Sequence, residues 1–275
     1  MTHSKDRLDE ENDCRAFILW QDAGMRLPLM FLPLAVLVLL SCSAPSQVGS
    51  TQIDFSKSTL AALREMPQGG GYSGSDATKN KLPLASSVSA EGLSFSTSVA
   101  QPSFCSGATY LVFLKTLQAT QKLSPKTAQA LVVKPNQTDG HGIFGRWNAN
   151  GPGCAKLVTD LDCGINFTSW KKAQPGDFLK IWWTENIGGK ERGHHVVYLG
   201  HDEQSLRFWS SNQPNGYGEK TIPRSDCKRI LFTRITKPAA ITKASQLPAK
   251  DPWLERMLKD DFTWNEVRQK CQIRD

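Results

Sequence analysis

The order of hydrophobic patterns over residues 95–235 restricts the fold more than any other feature of this chain. Helical patterns come first and strand patterns follow. Residues 104–117 carry Tyr110, Phe113, Leu114 and Leu117 at helical spacing, which predicts a strong helix. Ser124 before Pro125 is a cap with proline at the first helical position, so a second helix is expected from there to Val133. A third is expected over residues 153–161, after an irregular Gly/Asn/Pro-rich stretch at 134–153. Strand signals then occupy residues 178–183, 195–199, 206–209 and 230–235, separated by Gly, Asn and Asp clusters. Helices followed by a run of strands predict an α+β fold, with N-terminal helices packed on an antiparallel sheet of about four to six strands. A chain of 275 residues holds one such domain plus flanks.

The flanks carry the next signal. An apolar run at residues 27–40 follows Met25-Arg26 and precedes Ser41-Cys42-Ser43. It is short for a membrane span and reads as an export signal. Leu39-Leu40-Ser41-Cys42 resembles a bacterial lipobox, which implies a lipid on Cys42 after cleavage. A plain cleaved signal or an uncleaved anchor is the alternative. In this reading residues 1–24 are a non-native upstream extension, 25–42 the signal peptide and 43–92 a flexible Ser/Gly-rich tether that includes Gly69-Gly70-Gly71. Residues 93–236 form the main domain, and 237–275 a linker with a helical tail. The expected location is the bacterial cell envelope, on the periplasmic side. Ser43 resembles Gram-negative sorting patterns that lead to the outer membrane.

The net charge of +7 is spread along the chain without a Lys/Arg run, which argues for a wall polymer or anionic surface and against nucleic acid. Seven cysteines are present. With Cys14 before the proposed start, Cys42 lipidated and Cys105 reserved for chemistry, Cys154, Cys163, Cys227 and Cys271 are left to pair in an oxidising compartment. Three pairings are possible; proximity favours Cys154–Cys163 and Cys227–Cys271. These four show no C-x-x-C spacing, so no metal site is expected.

Cys105 opens the first strong helix, where unpaired N–H groups and the helix dipole favour a thiolate. Ser106 and Gly107 are small enough to let a substrate backbone approach. His195 begins an apolar strand, in phase with Val197 and Leu199, and is the candidate base; His194 reads as a turn or solvent-facing residue. Asp177 reads as a turn residue without a proton-transfer role. Asn212 shares a strand face with Ser210 and is the candidate for orienting the imidazole, with a turn role before Pro214 as the alternative. Trp147 and Asn148 lie among Gly and Asn and are candidates for a substrate groove, although most of the eight tryptophans belong in a core.

Three segments in order, Cys105-Ser106-Gly107, Pro175-Gly176-Asp177-Phe178 and His195-Val196-Val197-Tyr198-Leu199-Gly200, together resemble the NlpC-type papain-like cell-wall peptidases. The resemblance covers roughly residues 100–235. It implies a papain-like fold with Cys105 as nucleophile, His195 as base and no cofactor. The implied substrate is a peptidoglycan stem peptide or related peptide, cleaved by a monomeric, lipid-anchored enzyme. Three departures stand out: Phe104 replaces the usual Asp, the histidine segment is one residue short of the family pattern before Tyr-Leu-Gly, and the spacing to the Pro-Gly-Asp turn is long. They leave room for a second class of function, an inactive papain-like lipoprotein that binds the wall or scaffolds the envelope.

Overall fold

A helix that is apolar on every side has to be wrapped, and the residues from Cys105 to Thr120 form such a helix. The computed structural model describes residues 54–275 except 91, 136, 149 and 190. They belong to one unit, Thr51–Asp275. Cys42 and the expected signal lie outside the described residues. Six helices are labelled here: α1 (Phe55–Arg64), α2 (Cys105–Thr120), α3 (Pro125–Leu131), α4 (Gly142–Trp147), α5 (Ala155–Leu161) and α6 (Trp264–Lys270). In α2, Tyr110, Leu111, Val112, Phe113, Leu114 and Leu117 are all buried. α1 covers one side of it, with Phe55 against the Phe113 ring at 6.4 Å. The sheet covers the other side through Val197 and Trp209.

The main sheet has seven strands: β1 (Gly69–Gly70), β2 (Gly164–Phe167), β3 (Phe178–Trp182), β4 (His194–His201), β5 (Ser205–Asn212), β6 (Gly216–Pro223) and β7 (Arg229–Ile235). Their spatial order is β1-β6-β5-β4-β3-β7-β2, and every pairing is antiparallel. The fold is therefore α+β, with one strand more than the upper expectation. Alternation divides the strand residues between two faces. Phe178, Val197, Trp209 and Tyr217 join the helices in the largest core cluster. Leu179, Ile181, Val196, Tyr198, Phe208 and Phe232 build a second cluster on the opposite face. Burial on both faces explains why β3 reads as a nearly continuous apolar run, Phe-Leu-Lys-Ile-Trp.

The expected helices and strands lie close to where the patterns put them. Ser124 caps α3, its hydroxyl accepting from the Thr127 N–H at 3.2 Å. The stretch expected to be irregular holds α4, whose Ile143, Phe144 and Trp147 are buried.

Two boundary expectations fail. Residues 54–92 are not a loose tether: α1 supplies Phe55, Ala62 and Leu63 to the core, and β1 pairs with β6, Gly69 opposite Tyr217 and Gly70 opposite Gly216. The run Gly69-Gly70-Gly71 has φ of +67°, +81° and +77°, a left-handed path that side chains other than glycine resist. The run is thus a conformational requirement of this edge strand. Residues 237–275 likewise close the molecule. Leu254, Met257, Phe262, Val267 and Cys271 bury Trp182 and Leu231 in a third cluster, and Thr263 and Glu266 form a reciprocal capping box on α6.

Candidate active site

Cys105 is the first residue of α2 and is half-buried. The His194 imidazole, the backbone N–H of His195, the Tyr72 hydroxyl and the Lys180 charge all act on its thiol. Burial pushes this thiol up. The hydrogen bond and charge of His194, the His195 N–H and the Lys180 cation outweigh it and bring the thiol down from 9 to about 7. Burial raises Cys154, Cys163, Cys227 and Cys271, so Cys105 is the one lowered thiol among the described residues.

His194 opens β4 and points to the sheet face away from the helices. Trp183 stacks on its ring at 6.1 Å, and Phe208 meets it edge-on at 5.5 Å. Its Nε2 lies 3.0 Å from Asn212 Oδ1. The amide of Asn212 has its orientation set by its other bonds, because Nδ2 donates to Gly218 O at 2.8 Å and to Ser210 O at 3.3 Å. Oδ1 must then accept from Nε2–H, and that tautomer leaves His194 Nδ1 as the basic nitrogen, available to the thiol. Tyr72 is fixed by the strand-like run beside β1: its N–H donates to Pro214 O at 3.0 Å, and it bridges to Ser103.

His195 faces the other way. It is 3% exposed, and its Nδ1 lies 3.1 Å from Thr109 Oγ1. The Trp147 ring packs 5.3 Å away and Phe178 at 6.2 Å. Burial first, then the charges of Lys180 and His194, hold its pKa well below the usual histidine value, so it stays neutral. The phase that groups His195 with Val197 and Leu199 carries it into the helix-packed core. Only its backbone N–H reaches the sulfur. The signal that separates the two histidines is present in the sequence: alternation puts His194 in phase with Val196 and Tyr198, the residues of the outer sheet face.

The remaining candidates divide. Asn212 lies beside the imidazole that meets the thiol, as the sequence suggested for an orienting residue, although that imidazole is His194. Trp147 is a core residue, fully buried, with Phe113 at 4.6 Å and Phe178 at 4.7 Å, and its Nε1–H donates to Thr109 Oγ1. It lines no substrate groove. Gly107 is buried under the Phe104 ring and Leu82, where a Cβ would lie 3.0 Å from the ring and 3.3 Å from the leucine, so its small size serves packing. Ser106 is buried and donates to Asn148 Oδ1, which ties the start of α2 to the end of α4. Neither expected disulfide forms: Cys154, Cys163, Cys227 and Cys271 are free thiols. Cys227 packs against the outer sheet cluster and Cys271 in the C-terminal one. Asp177 is buried in an ion pair with Arg234 at 2.7 Å and braces the turn into β3.

A cleft of about 200 Å³ opens at His194, lined by Tyr72, Trp183, His194, Phe208, Asn212 and Lys220 among others. A larger one of about 430 Å³ at Trp170, Arg224, Cys227 and Trp264 has no histidine in its lining. Among the described residues no cluster of His, Cys, Asp and Glu could hold a metal, and no helix is long and apolar enough to cross a membrane. No family model matches this chain, and neither the curated proteins nor the solved structures contain a match.

Proposed function

We propose that this chain is a papain-like cysteine hydrolase that cleaves amide bonds through Cys105, His194 and Asn212, and that it works on peptidoglycan stem peptides from a lipid anchor at Cys42. The observation that supports the reading is the placement of the thiol at the first residue of α2 beside the His194 imidazole, whose Nε2 lies 3.0 Å from Asn212 Oδ1. In this mechanism the Cys105 thiolate attacks the amide carbon while the proton resides on His194. The carbonyl oxygen becomes an oxyanion, for which the Cys105 N–H and the Tyr72 hydroxyl are the donors at hand. The tetrahedral intermediate collapses as protonated His194 gives its proton to the departing amine, leaving a thioester on Cys105. His194 then takes a proton from water, hydroxide adds to the thioester carbon, and collapse releases the carboxylate and restores the thiol–imidazole pair.

The wall substrate is supported by the ordered Cys, Pro-Gly-Asp and His segments, by the basic charge and by the lipobox-like Leu39-Leu40-Ser41-Cys42. Incubation of the protein with purified muropeptides, followed by mass spectrometry, tests it. The expected result is a product heavier by one water across both fragments, absent with Cys105→Ala. Intact muropeptides from a protein whose Cys105 alkylates normally would remove the wall substrate and leave the thiol chemistry in place.

A further inference from the structure

A lysine occupies the centre of β3 where an apolar residue is expected. Lys180 stands between Leu179 and Ile181, opposite His195 in the register, and is 4% exposed. Alternation turns it toward the helices, on the same side as Phe178 and Trp182. A buried ammonium is costly unless something compensates for it. Its amine donates to two neutral acceptors, Asn150 O at 3.1 Å and Arg192 O at 2.6 Å. No carboxylate among the described residues pairs with it. Glu191 is committed to the Gly193 N–H and the Thr184 hydroxyl, and Asp139 to Asn150. The loop lies directly on the lysine at Gly193, whose φ is +53° and where a Cβ would come within 3.0 Å of the lysine Cε and Nζ.

We propose that Lys180 is a positioning residue of the thiolate site: its buried charge sustains the Cys105 thiolate, and its grip on Arg192 O holds the loop that delivers His194. The inference rests on reading Cys105 as the nucleophile. The charged and titratable groups facing the lysine are Cys105 from α2, Glu191 from the loop before β4, Asp139 from the loop before α4 and His195 from β4. Glu191 and Asp139 offset part of the charge from a distance, while His195 is neutral. Of the groups whose ionised form gains from a cation in this place, Cys105 acts on the lysine most strongly, ahead of Glu191 and Asp139, and by reciprocity the thiolate favours the protonated lysine. Burial draws the amine down to about 8, so the two groups titrate close together.

The test measures iodoacetamide alkylation of Cys105 against pH, which requires no substrate. In Lys180→Met the midpoint should rise by about one unit, and the rate at pH 6 should fall about tenfold, while the rate at high pH stays unchanged. Lys180→Gln keeps a donor for the carbonyls without the charge and should behave like the methionine variant. A purely structural lysine predicts instead that glutamine restores the parent profile, and that result overturns the proposal. A second measurement keeps the native lysine: the Lys180 amine, followed by NMR, should titrate lower in Cys105→Ala than in the parent. An unmoved amine titration refutes the coupling. Loss of the wall-peptide reading would show as absent turnover with these shifts intact, so the two failures are distinct.

Discussion

His194 and His195 are neighbours in sequence and opposites in environment. One stands between Trp183 and Phe208 at the mouth of a cleft with its Nε2–H on Asn212; the other is sealed under Trp147, and its Nε2 has no partner among the described residues. Their replacements should separate cleanly. His194→Ala removes the group that holds the thiol down, so alkylation of Cys105 at pH 6 should fall by about tenfold or more and amide hydrolysis should be lost. His195→Asn keeps the backbone N–H and a polar contact for Thr109. Thiol reactivity should stay within a few-fold of the parent, while urea unfolding reports a loss of about 1–3 kcal/mol. In the parent, alkylation should rise with a midpoint near pH 7, since the thiolate accumulates as pH passes about 7. The positions of Cys105 and Asn212 were legible because helix-start and strand-phase patterns fix where they lie. The sequence reading chose His195, whose side chain the core takes up, because a match to His-Val outweighed the spacing to Tyr198 and the phase with the core.

At the scale of elements, the stretch with the weakest sequence signal does much of the closing. Gly, Ser and Thr predominate in residues 43–90 and suggest a chain that buries little. Yet α1 lies along α2, and the run from Gly69 to Tyr72 joins the sheet edge and brings a hydroxyl to Cys105. Composition misled because these glycines are used for their backbone angles, which no hydropathy pattern records. Phe55 is the anchor of this segment, 3% exposed against Phe113. Phe55→Ala should cost about 3–5 kcal/mol in chemical denaturation and should also slow hydrolysis if Tyr72 loosens. An unchanged midpoint would mean that α1 is not integral to the core. β6 escaped detection for a related reason: Gly-Tyr-Gly-Glu-Lys-Thr-Ile-Pro mixes glycine, exposed charge and proline, and its strand character comes from pairing with β5 along its whole length.

For the whole molecule, the order of helices and strands was enough to give the α+β class, because helical patterns precede a run of consecutive strand patterns and do not alternate with them. The number of strands and the closure by residues 237–275 were not legible, since both depend on short segments recruited by contacts distant in sequence. The expectation of disulfides failed as well, so the cysteines give no argument for an oxidising compartment. The proposed export rests on the apolar run at 27–40 and on Cys42. Replacing Cys42 with Ala should move the protein from the membrane fraction to the soluble one; retention in the membrane fraction would reject the lipid anchor. Cys154, Cys163 and Cys271 are deeply buried, unbridged, and raised by that burial. An oxidant should therefore reach those three sulfurs only after the native packing around them has opened.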